Sequence, residues 1–213
     1  MAHVDPIVII DYGAGNLRSV QKAFEHLGHE AVFASDPAAI AGAPALVFPG
    51  QGASPPAMAA LNANGLADAV REAVQQGKPF FGVCLGLQLL MDWSEEGDTE
   101  CLGILPGITK RLPPGLKVPH MGWNSVHLSG SHPVFEGVPQ ESHFYFVHSY
   151  YADPQDEESL LGSTSYGVEF CSVAVRDNVI ATQFHPEKSG PLGLKLYDNF
   201  VRRFVYEETA PTR

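Results

Sequence analysis

The feature that most constrains this chain is a repeated handover from an unbroken apolar run to a segment of helical periodicity. Ile7-Val8-Ile9-Ile10 contains no polar residue and ends at Asp11-Tyr12-Gly13, the pattern of a strand covered on both faces. Residues 13–16 turn the chain into a helix in which Leu17, Val20, Phe24 and Leu27 recur at intervals of three and four, with Gly28 as its stop. Glu30 to Ala34 reads as a second strand. Ala45 to Phe48 reads as a third, broken by Pro49-Gly50-Gln51-Gly52. Leu66 to Gln76 is helical in pattern, and Gly77 closes it. Pro79 to Val83 is a fourth strand, left by a helix over Leu85 to Met91. Such alternation implies an α/β fold, an open, mostly parallel sheet with helices on both faces.

The second half has a different rhythm. Between Leu102 and Val175, short runs such as His143 to Val147 and Phe170 to Val175 are separated by turn residues and predict additional antiparallel strands. Asn178 to Phe184 returns as a strand. A final helix starts near Ser189, with Leu192, Leu196, Phe200 and Phe204 at intervals of four, and Glu207 to Arg213 read as a frayed end. There is no internal repeat, low-complexity segment or linker. The 213 residues are therefore expected to form a single domain with an ordered core from about residue 7 to 205.

Composition narrows the function classes. With 45% hydrophobic residues the chain has material for a sizeable core. Its net charge of −11 leaves no basic stripe to neutralise phosphates, so no nucleic-acid partner is expected. The residues Met1 to Asp5 carry no basic leader, and the longest apolar stretch, Pro79 to Met91, falls short of a membrane span. Cys84, Cys101 and Cys171 are an odd set without a CxxC pair, which fits reduced thiols in a cytoplasmic protein better than disulfides. No H-x-x-x-H or Cys/His cluster appears, so neither a metal site nor a cofactor is expected.

Gly82-Val83-Cys84-Leu85-Gly86 places G-x-C-x-G between a predicted strand and a predicted helix. A turn that sharp strains the backbone, lifts the central side chain out of the sheet and needs glycine where neighbouring backbone approaches. Backbone N–H groups and the positive end of the helix dipole there favour thiolate, the attacking form of cysteine. The Leu85 N–H would face a developing oxyanion. From three cysteines and the glycine content, about 0.03 such matches are expected by chance. Cys101 and Cys171 lack these surroundings and are expected to be inert core residues.

A thiol nucleophile needs a base, and the base needs an orienting group. Phe184-His185-Pro186-Glu187 follows a predicted strand, which puts His185 at a carboxyl end of the sheet, where ligands bind in open α/β folds. Glu187, two residues on, can share a side of an extended segment with His185 and stabilise its imidazolium. Of the other histidines, His26 and His29 flank a helix end and read as solvated. His120, His127, His132 and His143 have no carboxylate at a useful spacing.

Taken together, Gly82 to Gln88 and His185-Pro186-Glu187 resemble the Cys-His-Glu class I glutamine amidotransferases. Within that class, Asp11-Tyr12-Gly13-Ala14-Gly15-Asn16, Pro119-His120-Met121-Gly122-Trp123-Asn124, His148-Ser149-Tyr150-Tyr151 and Gln183 to Ser189 are similar to the amidotransferase subunits of imidazole glycerol phosphate synthases. The resemblance spans residues 7 to about 205. It implies a flavodoxin-like three-layer fold and a reaction: Cys84 attacks the side-chain amide of glutamine, ammonia leaves, and water releases glutamate from a thioester. His185 would move the protons and Glu187 would orient it. Gly50, Gln51 and Gly52 would face the thiol, with a backbone N–H near Gln51 as an oxyanion donor. The family more often has a small aliphatic residue where Gln51 stands.

Gln88, Ser149 and Tyr150 match positions that hold glutamine in the family. Read without the resemblance, Gln88 is a polar group on a helix surface and the other two are strand-end hydrogen bonders. The implied partner is a cyclase subunit, a (β/α)8 barrel, forming a heterodimer that uses the ammonia in histidine biosynthesis. Asn16, Trp123 and Lys188 are the interface candidates, although Trp123 in its Gly-Trp-Asn turn could equally anchor the core. Two rival readings remain: an idle scaffold that keeps the fold, and a hydrolase of small amides or esters.

Overall fold

The computed structural model describes residues 5–13 and 15–206; the residues Met1 to Val4, Ala14 and the tail read above as frayed lie outside the described residues. The four apolar runs become parallel strands: β1 (Ile7–Ile10), β2 (Ala31–Ala34), β3 (Leu46–Gly50) and β4 (Phe80–Cys84). Four helices join or follow them in the first half: α1 (Leu17–His26), α2 (Pro37–Gly42), α3 (Ser54–Ala63) and α4 (Leu66–Gln75). A single turn, α5 (Leu85–Gln88), leaves β4. Alternate residues of β1 feed opposite layers. Ile7 and Ile9 pack with α1, while Val8 and Ile10 pack with α2, α3 and α4. That two-sided burial is why β1, β3 and β4 are apolar throughout, whereas β2 at the sheet edge leaves Val32 and Phe33 exposed.

Short strands β5 (Trp93–Ser94) and β6 (Thr99–Glu100) lead to β7 (Gly107–Arg111). Longer antiparallel strands follow: β8 (His120–Leu128), β9 (Ser142–His148), β10 (Tyr150–Pro154), β11 (Leu160–Ser165) and β12 (Glu169–Arg176). β13 (Val179–Thr182) returns to lie parallel beside β4, and α6 (Gly190–Phe200) closes the α1 face. The main sheet has nine strands in the order β2-β1-β3-β4-β13-β12-β11-β8-β9, and β10-β7-β5-β6 form a second sheet. The first five strands are the parallel, flavodoxin-like half. The antiparallel strands extend that same sheet from β13 onward.

Several boundaries differ from the sequence reading. β3 runs through Pro49 and Gly50, with Pro49 level with Val83 and Gly50 level with Cys84. The helix after Cys84 stops at Gln88 rather than Met91: its bonds tighten there, Leu90 N–H donating to Leu87 O and Met91 N–H to Gln88 O, and the carbonyls just beyond it are taken elsewhere. Leu102 N–H donates to Leu89 O, Gly103 N–H to Met91 O, and the Ile104 and Leu105 N–H groups both to Leu90 O. α2 and α3 had no counterpart in the sequence reading. Both start at proline-bearing first turns, and Asp36 caps α2 by accepting from Ala39 N–H. The last helix widens into a π turn over Val201–Tyr206. His29 is not solvated but buried between Asp198 and Tyr206, 3.0 and 3.1 Å away, which ties that turn to the end of α1.

The handover at Cys84 depends on close backbone approach. A Cβ added to Gly86 would lie 1.9 Å from the Phe48 carbonyl oxygen on β3, so no side chain fits without parting β3 from α5. Gly42, by contrast, faces open space with an ordinary φ. Gly86→Ala is expected to cost about 3 kcal/mol or more in urea denaturation, and Gly42→Ala less than about 1 kcal/mol.

Candidate active site

Cys84 ends β4 with φ 55° and ψ −106°, a conformation non-glycine residues avoid and which is worth about 1–3 kcal/mol of local strain. The strain turns its side chain into a cavity of about 410 Å³ at the carboxyl edge of the parallel strands. The thiol lies 3.9 Å from the Val147 carbonyl oxygen and 3.5 Å from Gln183 Nε2.

His185 reaches the same cavity from the far end of the chain. Its N–H donates to Tyr145 O on β9 at 3.0 Å, and its carbonyl accepts from Ser189 Oγ at 2.6 Å. That hydroxyl in turn accepts from Tyr145 N–H, so the loop is clamped to β9 on both sides. Pro186–Lys188 form one 3-10 turn, not the extended segment expected, and the turn folds Glu187 back under the ring. His185 Nδ1 lies 2.8 Å from Glu187 Oε1. The Glu187 side chain is fully buried, and it also accepts from Asn16 Nδ2 at 2.7 Å and Tyr197 OH at 3.4 Å.

With Nδ1–H given to the carboxylate, Nε2 is left for the thiol side; it is buried and has no hydrogen-bond partner. Burial alone would depress the imidazole pKa. The negative charge of Cys84 and the Glu187 carboxylate, with the hydrogen bonds that both offer the charged ring, outweigh burial and raise it to about 10. Burial and then the Cys84 charge hold the Tyr12 phenol above its usual range. Cys101 and Cys171 are buried thiols that desolvation pushes up to about 12.

Of the glutamine-site candidates, Gln51, Gly52, Leu85, Gln88, Ser149 and Tyr150 all line the cavity. Gly50 lies just behind it, level with Cys84. Gln88 is buried, which removes the helix-surface alternative; its Nε2 donates to Tyr150 O at 2.7 Å and to Gln183 Oε1 at 3.2 Å. Glu96 and Gln183 were not singled out from the sequence. Glu96 lines the cavity while accepting from Ser54 N–H, and Glu95-Glu96 gave no motif by which to find it. A larger hollow of about 600 Å³ around His132, Phe135 and Phe204 holds no cysteine and lies apart from Cys84 and His185.

The interface candidates separate. Asn16, in a left-handed conformation before α1, is committed to Glu187, and Lys188 lines the cavity. Trp123 belongs to β8 rather than a turn and is 57% exposed, so it does not anchor the core. It lies with exposed Met121 opposite Tyr145 and Val147, which themselves line the cavity. His127, contrary to the sequence reading, has a carboxylate: Glu141 lies 2.8 Å away across the β8–β9 pair.

His148 and His120 support the cavity wall. Asn124 Nδ2, set as a donor by the Ser165 carbonyl, faces His120 Nε2 at 3.3 Å and makes it an acceptor, so His120 Nδ1 carries the proton and donates to His148 Nε2 at 2.9 Å, while His148 Nδ1 donates to the Tyr150 carbonyl, 2.9 Å away. Both rings must therefore be neutral. Burial lowers both pKa values, that of His148 to about 3.

Sequence comparison matches residues 8–204 to the family described as glutamine amidotransferase class-I. A protein of Dehalococcoides mccartyi named imidazole glycerol phosphate synthase subunit HisH is 51% identical over 197 residues, covering 92% of this chain and 96% of its own. Namesakes from Moorella thermoacetica and Nitrosomonas europaea are 51% and 48% identical, each covering at least 92% of both chains. Among solved structures, a crystal structure titled glutamine amidotransferase superposes with a TM-score of 0.73 at 24% identity, covering 92% of this chain and 97% of that one. At that identity the likeness speaks for the fold.

The neutral His148–His120 pair has a consequence for stability. In the unfolded chain His148 takes up a proton below its ordinary pKa of 6.5, whereas the folded chain resists protonation until about pH 3. The unfolded state thus binds more protons in that window, and stability falls as pH falls through it. Between pH 7 and pH 5 this amounts to about 2 kcal/mol. Urea denaturation at both pH values should show a correspondingly smaller loss in His148→Gln, which keeps a donor for Tyr150 O but does not titrate.

Proposed function

The chain belongs to the class-I glutamine amidotransferases, and from that premise we infer that it is the glutamine-hydrolysing subunit of imidazole glycerol phosphate synthase in histidine biosynthesis. One observation carries the reading to particular residues. A strained thiol and a buried imidazole from distant parts of the chain meet at one cavity, and a buried carboxylate behind the imidazole holds it there. The Cys84 thiolate attacks the side-chain amide carbon of glutamine, and the carbonyl oxygen takes the negative charge. The Leu85 N–H and the Gly50-Gln51-Gly52 segment flank the place where that oxyanion forms. Imidazolium His185 protonates the amide nitrogen, the C–N bond breaks, and ammonia leaves a thioester. Neutral His185 then takes a proton from water, which displaces the sulfur and releases glutamate. Glu187 holds the ring through both steps. Glu96 and Lys188 put opposite charges on the cavity wall, which suits the α-ammonium and α-carboxylate of an amino acid.

The match over 8–204 supports one amidotransferase domain spanning the chain. The relatives are named as subunits, which implies a partner subunit. That partner is the cyclase subunit, a (β/α)8 barrel, in a heterodimer; it receives the ammonia and forms imidazole glycerol phosphate and aminoimidazole carboxamide ribotide. The exposed Trp123 and Met121 beside the cavity are suited to dock it, and Asn16 and Lys188 flank the same end. No described helix is long and apolar enough to cross a membrane, and free thiols fit a reducing cytoplasm.

In the complex with the cyclase subunit, Cys84→Ala is expected to lower glutamine-dependent synthesis by at least about 1,000-fold while ammonium-dependent synthesis continues. Retained glutamine-dependent turnover would remove Cys84 from the chemistry, and loss of both activities would make its role structural. Stoichiometric labelling by an electrophilic glutamine analogue separates this reading from an idle scaffold.

A further inference from the structure

Gln183 stands where the parallel register of β4 and β13 carries on. Thr182 is level with Val83, so the next position on each strand brings Gln183 beside Cys84. The side chain is completely buried, and its Nε2 lies 3.5 Å from Cys84 Sγ. The direction of its amide follows from a chain of hydrogen bonds that starts at a group with only one possible role. The Tyr150 carbonyl can only accept, and it takes Gln88 Nε2 at 2.7 Å. The same Gln88 nitrogen reaches Gln183 Oε1 at 3.2 Å. With its oxygen committed to Gln88, Gln183 can present only N–H to the sulfur.

We propose that Gln183 is a hydrogen-bond donor to the reacting sulfur and stabilises the Cys84 thiolate, its amide held in the donating direction by Gln88 and the Tyr150 carbonyl. This rests on Cys84 being the nucleophile. A neutral thiol is a weak acceptor, whereas a thiolate forms a charge-assisted bond, so the donor favours the ionised form. The Val147 carbonyl, 3.9 Å away, can accept only from the protonated thiol and so opposes ionisation, which leaves the Gln183 N–H and the His185 counter-charge as the groups that favour the thiolate. An uncharged donor adds stabilisation without repelling the imidazolium. It also helps when water displaces the sulfur from the thioester, because a stabilised thiolate is the better leaving group.

The test is the pH dependence of Cys84 alkylation by iodoacetamide in the purified chain. Cys101 and Cys171 are buried, with thiols pushed up to about 12, so reaction near neutrality reports Cys84. Gln183→Leu should move the midpoint of the profile upward by about one pH unit, a tenfold smaller thiolate fraction at a fixed lower pH. Gln183→Met, equally long and apolar, should do the same and carries the test if the branched variant does not fold. A folded variant of either kind whose profile overlays that of the unsubstituted chain would overturn the proposal, even if its turnover were reduced. Failure of the unsubstituted chain to react with an electrophilic glutamine analogue would instead overturn the assignment of Cys84 as nucleophile.

Discussion

Everything at the site depends on the parallel register of β3, β4 and β13, which brings Gly50, Cys84 and the residues after Thr182 to one level of the sheet edge. Parallel strands all present their carboxyl ends on the same side, so loops from three remote parts of the chain converge there without any long-range design of their own. The register alone would leave Cys84 alternating with its neighbours and buried in the sheet. The strained backbone at Cys84 breaks that alternation, and contact of Gly86 with the Phe48 carbonyl holds the strain in place. Packing in the sheet thus stabilises an orientation that the local chain disfavours.

Around the sulfur, each polar group has its proton assignment set by a backbone carbonyl or a carboxylate. The Tyr150 carbonyl orients His148 on one side and Gln88 on the other. Glu187 fixes the Nδ1–H of His185 and is itself held by Asn16 and Tyr197. These bonds lie in buried surroundings, where an unsatisfied partner costs more than it does in water. The antiparallel half of the sheet supplies β8 and β9, and with them the wall carrying Tyr145, Val147 and His148. The parallel half supplies the nucleophile and the base; the antiparallel half closes the pocket around them.

Much of this was legible in the residues. Unbroken apolar runs marked the parallel strands because burial on both faces leaves no place for a polar side chain. The G-x-C-x-G turn located Cys84 because few other conformations need glycine on both sides. Other features depend on tertiary partners. The helix after Cys84 ends early, and the Leu102 to Leu105 segment takes the carbonyls just beyond it, a capture that no local pattern encodes. His29 read as solvated because Asp198 and Tyr206 are distant in sequence. Gln183 entered only as the first residue of the stretch through Ser189, with no role of its own, and Glu96 not at all, for the same reason. A neutral amide or a surface-type carboxylate has no spacing signature until the sheet places it near the sulfur or in the cavity wall.

The placement of β13 also dictates an order of assembly. Its partner β4 is complete at residue 84, but β13 begins only at residue 179, so a chain emerging from the ribosome carries an unpaired β4 edge while nearly a hundred further residues are made. Such an edge is a template for pairing with another chain, which makes the half-synthesised protein the species most exposed to aggregation. Any product truncated before residue 179 lacks both the strand that covers this edge and the imidazole, so premature termination there gives a chain that is inactive as well as adhesive.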